Sequence, residues 1–280
     1  MNVGIVGQGF VGSAIKEGLK SFHEVITYDK DHSRSMAISL DQVVNNSEII
    51  FVCVPTPMRI SGECDTRILE DVVHEINQIA SKTKSSKKTI VVKSTVPPGT
   101  TSRLDEKYSK INVAFSPEFL TEANSFDDFK NQTRIIIGGS GAKKVKQMFR
   151  KPFPKIPIVI TKSDTAEMVK YFINCFLSTK VTFANQMYDL CEASGVDYDK
   201  VCEYALLDQR IGGSHLAVPG PDGDRGFGGH CFPKDMGAMI HFADLFGTSS
   251  EFLRQVSSSN HKYRNKKDWL DMKGRAVSED

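Results

Sequence analysis

The stretch Gly226-Phe227-Gly228-Gly229-His230-Cys231-Phe232-Pro233-Lys234-Asp235 places a thiol in a setting suited to nucleophilic chemistry. Pro233 fits the first turn of a helix, which puts Cys231 just before that helix's N-terminus. There the helix dipole favours the thiolate, the reactive form of cysteine. The preceding glycines leave the sulfur approachable. A cysteine beside a loop is otherwise most often an inert, buried hydrophobe. The Gly-Gly pair, Lys234 and Asp235 favour the reactive reading here. His230 is not taken as the base for Cys231, because adjacent residues rarely face each other. Cys53, Cys64, Cys175, Cys191 and Cys202 form no C-x-x-C pair or Cys/His zinc spacing, so no metal is expected and they read as small buried hydrophobes.

A second chemical signal lies at the amino terminus. Gly7-Gln8-Gly9-Phe10-Val11-Gly12 reads G-x-G-x-x-G, follows an apolar strand and opens a helical pattern. Gly7 permits the tight turn, Gly9 lets the backbone approach a pyrophosphate, and Gly12 allows close helix–strand packing. The free N–H groups of the helix start then face the phosphates. Asp29, at the end of the next strand, is placed to accept ribose hydroxyls and to repel a 2′-phosphate, which favours NAD over NADP. Arg34 has two readings: it holds a 2′-phosphate, or it stacks on adenine. Lys170 and Asn174 stand at i and i+4 and so share one helix face, either a solvated face or a chemical one. Glu118, directly after Pro117, reads in isolation as a first-turn helix acid.

The elements that must carry these groups follow from periodicity. Strands are expected at Val3–Val6, Glu24–Tyr28, Ile49–Val54, Thr89–Lys93, Asn112–Phe115, Arg134–Gly138 and Pro157–Ile160, with helices at Phe10–Lys20, Thr66–Lys82 and Ala142–Arg150 among them. Nearly continuous apolar strands suit a sheet covered on both faces. The alternation predicts an α/β, Rossmann-like, doubly wound parallel sheet over residues 1–162. From Asp164 to Ser194 there is no Pro or Gly, and Gly195 follows as a stop. A helix of about 30 residues would be roughly 45 Å long. It is expected to be the spine of an all-α domain over 163–280 and to pack against another subunit. Asp164 and Glu167 resemble a capping box for it. Shorter helices are expected at Tyr198–Leu207, Lys234–Phe246 and Ser250–Arg264, a loop at Gly212–Gly229, and a frayed tail at Gly274–Asp280.

With 280 residues the chain is long enough for two domains. A formal net charge of +2 gives no bulk reason to expect nucleic acid or a membrane surface. The longest apolar run, Ile49–Val54, is too short to span a bilayer. Met1-Asn2-Val3 enters a strand with no leader pattern, so a cytoplasmic location is expected.

GFGGHCFPKD resembles the active-site signature of the UDP-glucose and GDP-mannose dehydrogenases. Four further segments match that family in order: the amino-terminal GxGxxG, Lys93–Thr100 (KSTVPPGT) beside the nicotinamide, Ser116–Glu122 (SPEFLTE) facing the sugar, and Asp208–Gly212 (DQRIG). The resemblance implies a four-electron oxidation of a nucleotide sugar at C6, UDP-glucose foremost, with NAD as acceptor, as used in polysaccharide biosynthesis. Cys231 would form a thiohemiacetal and then a thioester. Lys170 and Asn174 would flank C6, Glu118 would act as acid/base for water, and Asp235 and Thr95 would position that water. Val54, Pro55, Thr56, Ser94, Thr95 and Glu122 would join the glycine turn and Asp29 at the cofactor. Glu122 is expected to face Lys170 or the cofactor. Phe119, Leu120, Arg210, Phe227, Gly228 and Lys234 would complete the substrate site, Arg210 across a homodimer. Alternatively, Arg210 is an ordinary surface charge.

Family members usually continue into a second α/β domain that holds the nucleotide, and this chain ends at Asp280, about where that domain would begin. Recognition of the base is then expected to fall to Asp222–Gly228 and a neighbouring subunit, or to a separate partner. Two other readings stand beside this one. A 3-hydroxyacid-type dehydrogenase would make a single hydride transfer without a thiol, and a non-catalytic remnant would bind NAD without turnover.

Overall fold

The computed structural model describes residues 1–83 and 86–279. The chain divides into two compact units, Met1–Thr56 with Thr66–Lys170, and Pro57–Asp65 with Tyr171–Asp280. The expected boundary at 162/163 differs in two ways. The division falls within a helix, and a short segment of the first half belongs to the second unit. Local periodicity carries no information about such an excursion.

The first unit runs β1 (Asn2–Val6), α1 (Phe10–Leu19), β2 (Glu24–Tyr28), α2 (Leu40–Asn46), β3 (Ile49–Val52), α3 (Arg67–Ser81), β4 (Lys88–Val92), α4 (Thr100–Lys107), β5 (Ile111–Phe115), α5 (Ser125–Lys130), β6 (Ile135–Gly139), α6 (Ala142–Arg150) and β7 (Ile158–Thr161). The strands form one sheet in the order β2-β1-β3-β4-β5-β6-β7. Neighbours pair in parallel except β5 with β6, which are antiparallel through Ala114–Gly139 and Phe115–Gly138. The doubly wound, mostly parallel sheet is as expected, and this one pair is its exception. An apolar run reports burial on both faces and says nothing of strand direction.

Strands β1 to β6 feed two cores. Ile50, Val52, Ile90 and Val92 pack with Val43, Val73, Ile76 and Leu104 from α2, α3 and α4. Ile49, Phe51 and Val91 pack on the other face with Ile15, Phe129, Val145 and Phe149 from α1, α5 and α6. This period-two alternation explains why all of β3 and the last three residues of β4 are apolar.

α7 (Ser163–Ser194) begins in the first unit and continues into the second. Asp164 and Glu167 do not form the expected capping box. Glu167 instead accepts the N–H groups of Gly99 and Thr101 at 2.8 Å each and so caps α4. The second unit adds α8 (Tyr198–Ala205), α9 (Phe232–Leu245) and α10 (Glu251–Tyr263). Its core joins Tyr171 and Cys175 of α7 with Phe227, Met236, Met239 and Val256. The expected fraying of the tail is also corrected, though Asp280 itself lies outside the described residues. Ala276 is fully buried, and Met58 exchanges hydrogen bonds with Ala276 and Ser278 at 2.8 and 2.9 Å. A strand bridge to a segment more than two hundred residues upstream leaves no local signature.

Candidate active site

In the first unit, β1 ends at Gly7, whose φ of +91° makes the tight turn. A Cβ on Gly12 would lie 1.9 Å from the Gly7 carbonyl oxygen, so helix α1 can approach the turn only with glycine there. A Cβ on Gly9 would meet nothing within 4 Å among the described residues, and Gly9 caps α1 without any side-chain hydrogen bond. The open space therefore lies at the start of α1, where helix N–H groups point outward. Asp29 carries both functions of its carboxylate at once. Its Oδ2 accepts the Gln8 N–H at 2.6 Å and its Oδ1 the Asp31 N–H at 2.9 Å, which leaves lone pairs for ribose hydroxyls. Phe10 and Val11 are half-buried at the start of α1. Arg34 is paired with Asp31 at 3.1 Å and is mostly exposed.

The strand ends beside this turn are tied together through backbone oxygens. Thr56 Oγ1 donates to Thr95 O at 2.7 Å, and Ser94 Oγ donates to Val54 O at 2.5 Å. Pro55 stays exposed between them. The chain reverses direction across the sheet at β1 and β3, the usual crevice for a dinucleotide in such sheets. The glycine turn, Asp29 and these strand ends fit NAD. We expect Gly12→Ala to weaken NADH binding at least about tenfold, since overpacking at such a contact costs roughly 1–3 kcal/mol. Fluorescence titration of NADH measures it, and unchanged affinity would refute the placement.

The loop Ser116–Leu120 follows β5 and is pinned by two buried lysines. Lys170 Nζ donates to Glu118 Oε1 at 2.8 Å and to Glu118 O at 2.7 Å. Lys93 Nζ, at the end of β4, donates to Pro117 O at 2.9 Å. Leu120 N–H returns to Glu118 Oε2 at 2.7 Å. Burial pushes the Glu118 carboxyl up, but Lys170, the Leu120 N–H and Lys93 together hold it below its ordinary value. Burial lowers Lys93 to about 8. Glu118 is thus no first-turn helix acid, because α5 begins only at Ser125. The Phe119 ring lies under the Arg134 guanidinium at 4.5 Å and beside the Lys170 ammonium at 5.7 Å. Glu122 is exposed farther along the same loop.

In the second unit, Cys231 is the N-cap residue of α9, with Pro233 in the first turn, and its side chain is half-buried. One turn on, Asp235 is 1% exposed and bonded on both oxygens, to Lys234 Nζ at 2.5 Å and Asn174 Nδ2 at 2.6 Å. Burial disfavours the Lys234 ammonium, but Asp235, Cys64 and Cys231 outweigh that and raise its pKa. A retained cation beside a helix N-terminus favours thiolate at Cys231. Burial pushes the thiols of Cys53 and Cys175 up to about 12, which makes them inert. Lys234, expected among the substrate contacts, is buried and spends its ammonium on Asp235. Phe227 is likewise a core side chain, 6.1 Å from the Phe232 ring. Arg210 is exposed and paired with Asp208 at 2.5 Å.

Residues 32–153 match the NAD binding domain of the UDP-glucose/GDP-mannose dehydrogenase family, and residues 164–262 match its central domain. The UDP-glucose dehydrogenase of the archaeon Pyrobaculum islandicum superimposes with a TM-score of 0.84 at 30% identity, over 93% of this chain and 68% of that one. This chain belongs to that family. The UDP-glucose 6-dehydrogenase of Rickettsia felis is 32% identical over 300 residues, which cover 93% of this chain and 64% of that protein. The chain therefore spans just under two thirds of that relative's length.

Within the family the cofactor is NAD. The fold alone is shared more widely. A 3-hydroxyisobutyrate dehydrogenase of Mycobacterium tuberculosis matches at a TM-score of 0.73 with 13% identity, over 94% of this chain and 93% of that one. Sequence reasoning had Lys93 only as the first residue of KSTVPPGT and gave it no part in holding the Glu118 loop. Its signal was a lysine closing the apolar strand TIVV, where a buried cation needs a partner. Among the described residues no group of three His, Cys, Asp or Glu side chains could hold a metal ion. No helix among them is long and apolar enough to cross a membrane.

Proposed function

We propose that this chain oxidises the C6 alcohol of a nucleotide sugar, UDP-glucose foremost, to the uronic acid, with Cys231 as covalent nucleophile. The observation that carries this reading is the half-buried Cys231 at the N-cap of α9, one turn from the buried Asn174–Asp235–Lys234 network. The glycine turn and Asp29 would hold NAD, which would supply the hydride acceptor for each of the two oxidations. Lys170 stabilises the alkoxide and then the oxyanion, and Asn174 donates a hydrogen bond to the same oxygen. The Cys231 thiolate adds to the C6 aldehyde, forming a C–S bond and a thiohemiacetal. Loss of the C6 hydride and the hydroxyl proton leaves a thioester. Glu118 takes a proton from the attacking water, which Asp235 and Thr95 position; the C–S bond breaks, and carboxylate and thiolate are released.

A homodimer through α7 belongs to the same proposal. Phe172, Phe176, Phe183 and Leu190 are 70, 57, 59 and 55% exposed. At 100° per residue they fall on one stripe, an apolar face that water does not favour. A cytoplasmic setting fits six cysteines with no disulfide.

The deciding experiment incubates the chain with NAD and UDP-glucose and counts NADH. Two NADH per sugar consumed is the expected result. One NADH per sugar would point to a single-step alcohol dehydrogenase. None with any nucleotide sugar would leave an NAD-binding module.

A further inference from the structure

The loop that delivers Cys231 is gripped from far along the chain. Asn260, on α10 and 1% exposed, accepts the Phe227 N–H through Oδ1 at 2.7 Å and donates from Nδ2 to Phe227 O at 2.9 Å. Its amide thereby pairs with the loop backbone as a neighbouring strand would. Two residues on, Asp268 Oδ2 accepts the Gly229 N–H at 3.0 Å. Arg264, buried between them, donates to Asp268 Oδ1 at 3.2 Å and to Lys266 O at 2.9 Å. It also pairs with Asp222 Oδ2 at 2.6 Å at the loop's start. A Cβ on Gly228 would lie 2.3 Å from Arg264 Nη2 and 2.4 Å from Asp268 Oδ1. Any side chain there would push the Arg264 and Asp268 side-chain ends out of the clamp, apart from any need to expose the sulfur.

We propose that Asn260, Arg264 and Asp268 are positioning residues that hold the Phe227–Gly229 backbone and thereby set Cys231 at the start of α9. The proposal rests on the reading of Cys231 as nucleophile. Three glycines occur within Gly226–Gly229, and such backbone samples many conformations unless something external fixes it. Asn260 and Asp268 fix it at two points, and Arg264 ties the Asp268 point to the loop's entry at Asp222. With the clamp intact, the thiol stays in the field of the helix start and of Lys234. Released, the loop lets the sulfur leave that field.

Site-resolved alkylation tests this on the intact chain, with iodoacetamide as probe and mass spectrometry of the Cys231 peptide across pH. In the unmodified chain Cys231 should react well ahead of Cys175. In Asn260→Ala the reactivity profile of Cys231 should move to higher pH, with a loss of about tenfold at neutral pH for each unit of movement. Asp268→Asn, which keeps an oxygen for the Gly229 N–H, should stay close to the unmodified profile. A merely structural role would lower Tm without moving the profile. If Cys231 in the unmodified chain reacts no faster than Cys175, the nucleophile reading fails. If it is reactive there and equally so in folded Asn260→Ala, the clamp alone is overturned. Should Asn260→Ala not fold, Asp268→Ala, at a half-exposed position, is read by the same two outcomes.

Discussion

Cys231→Ser is expected to lower formation of the uronic acid by at least roughly a thousandfold, or about 4 kcal/mol of barrier at 1.36 kcal/mol per decade. The hydroxyl is nearly isosteric but far less acidic and less nucleophilic than a thiol. The dipole of α9 and the retained Lys234 charge therefore have no anion to stabilise. A second oxidation needs a tetrahedral adduct from which hydride can leave, and serine forms it poorly. Folding should be almost untouched, since Cys231 is only half-buried. The measurement is acid product by mass spectrometry alongside NADH. Acid formed at the unmodified rate would refute Cys231 as the nucleophile.

Lys170→Met should cost about 3–5 kcal/mol of stability, because it strands the buried Glu118 carboxylate without its counter-charge. Against a typical total of about 5–15 kcal/mol, part of the population would unfold. The pH dependence should also change sign. In the unmodified chain the Glu118 pKa is depressed, so its contribution is present above the ordinary carboxylate value and is lost as pH falls through the depressed one. In Lys170→Met burial dominates and raises that pKa. Stability should then be greatest in acid and decline as pH rises through the raised value. Urea midpoints across pH give the comparison. The double variant Lys170→Met/Glu118→Gln should regain most of the stability and none of the activity. If the single variant is as stable as the unmodified chain, the pair is not the buried ion pair described here.

The parts of the fold that were legible beforehand are those whose cause is local. The alternation of apolar strands and amphipathic helices, the glycine turn after β1, the unbroken run of α7 and the Pro233 helix start each depend on a few consecutive residues. Short helices such as α2, α4 and α5 escaped notice because six to eight residues hold too little periodicity to separate from a loop. Strand direction at β5 and β6 escaped because pairing is a relation between segments.

The site divides in the same way. Residue types and local spacing alone pointed to a thiol before a helix start, a dinucleotide turn and an Asp at the end of β2. Tertiary structure decided what holds those groups: Glu167 capping α4, Lys93 and Lys170 pinning one loop, Asn260 and Arg264 pinning another. A buried charge or bare backbone group takes whichever partner the fold brings within about 3 Å, and that choice is made by contacts across tens to hundreds of residues. No window along the chain contains both members of such a pair.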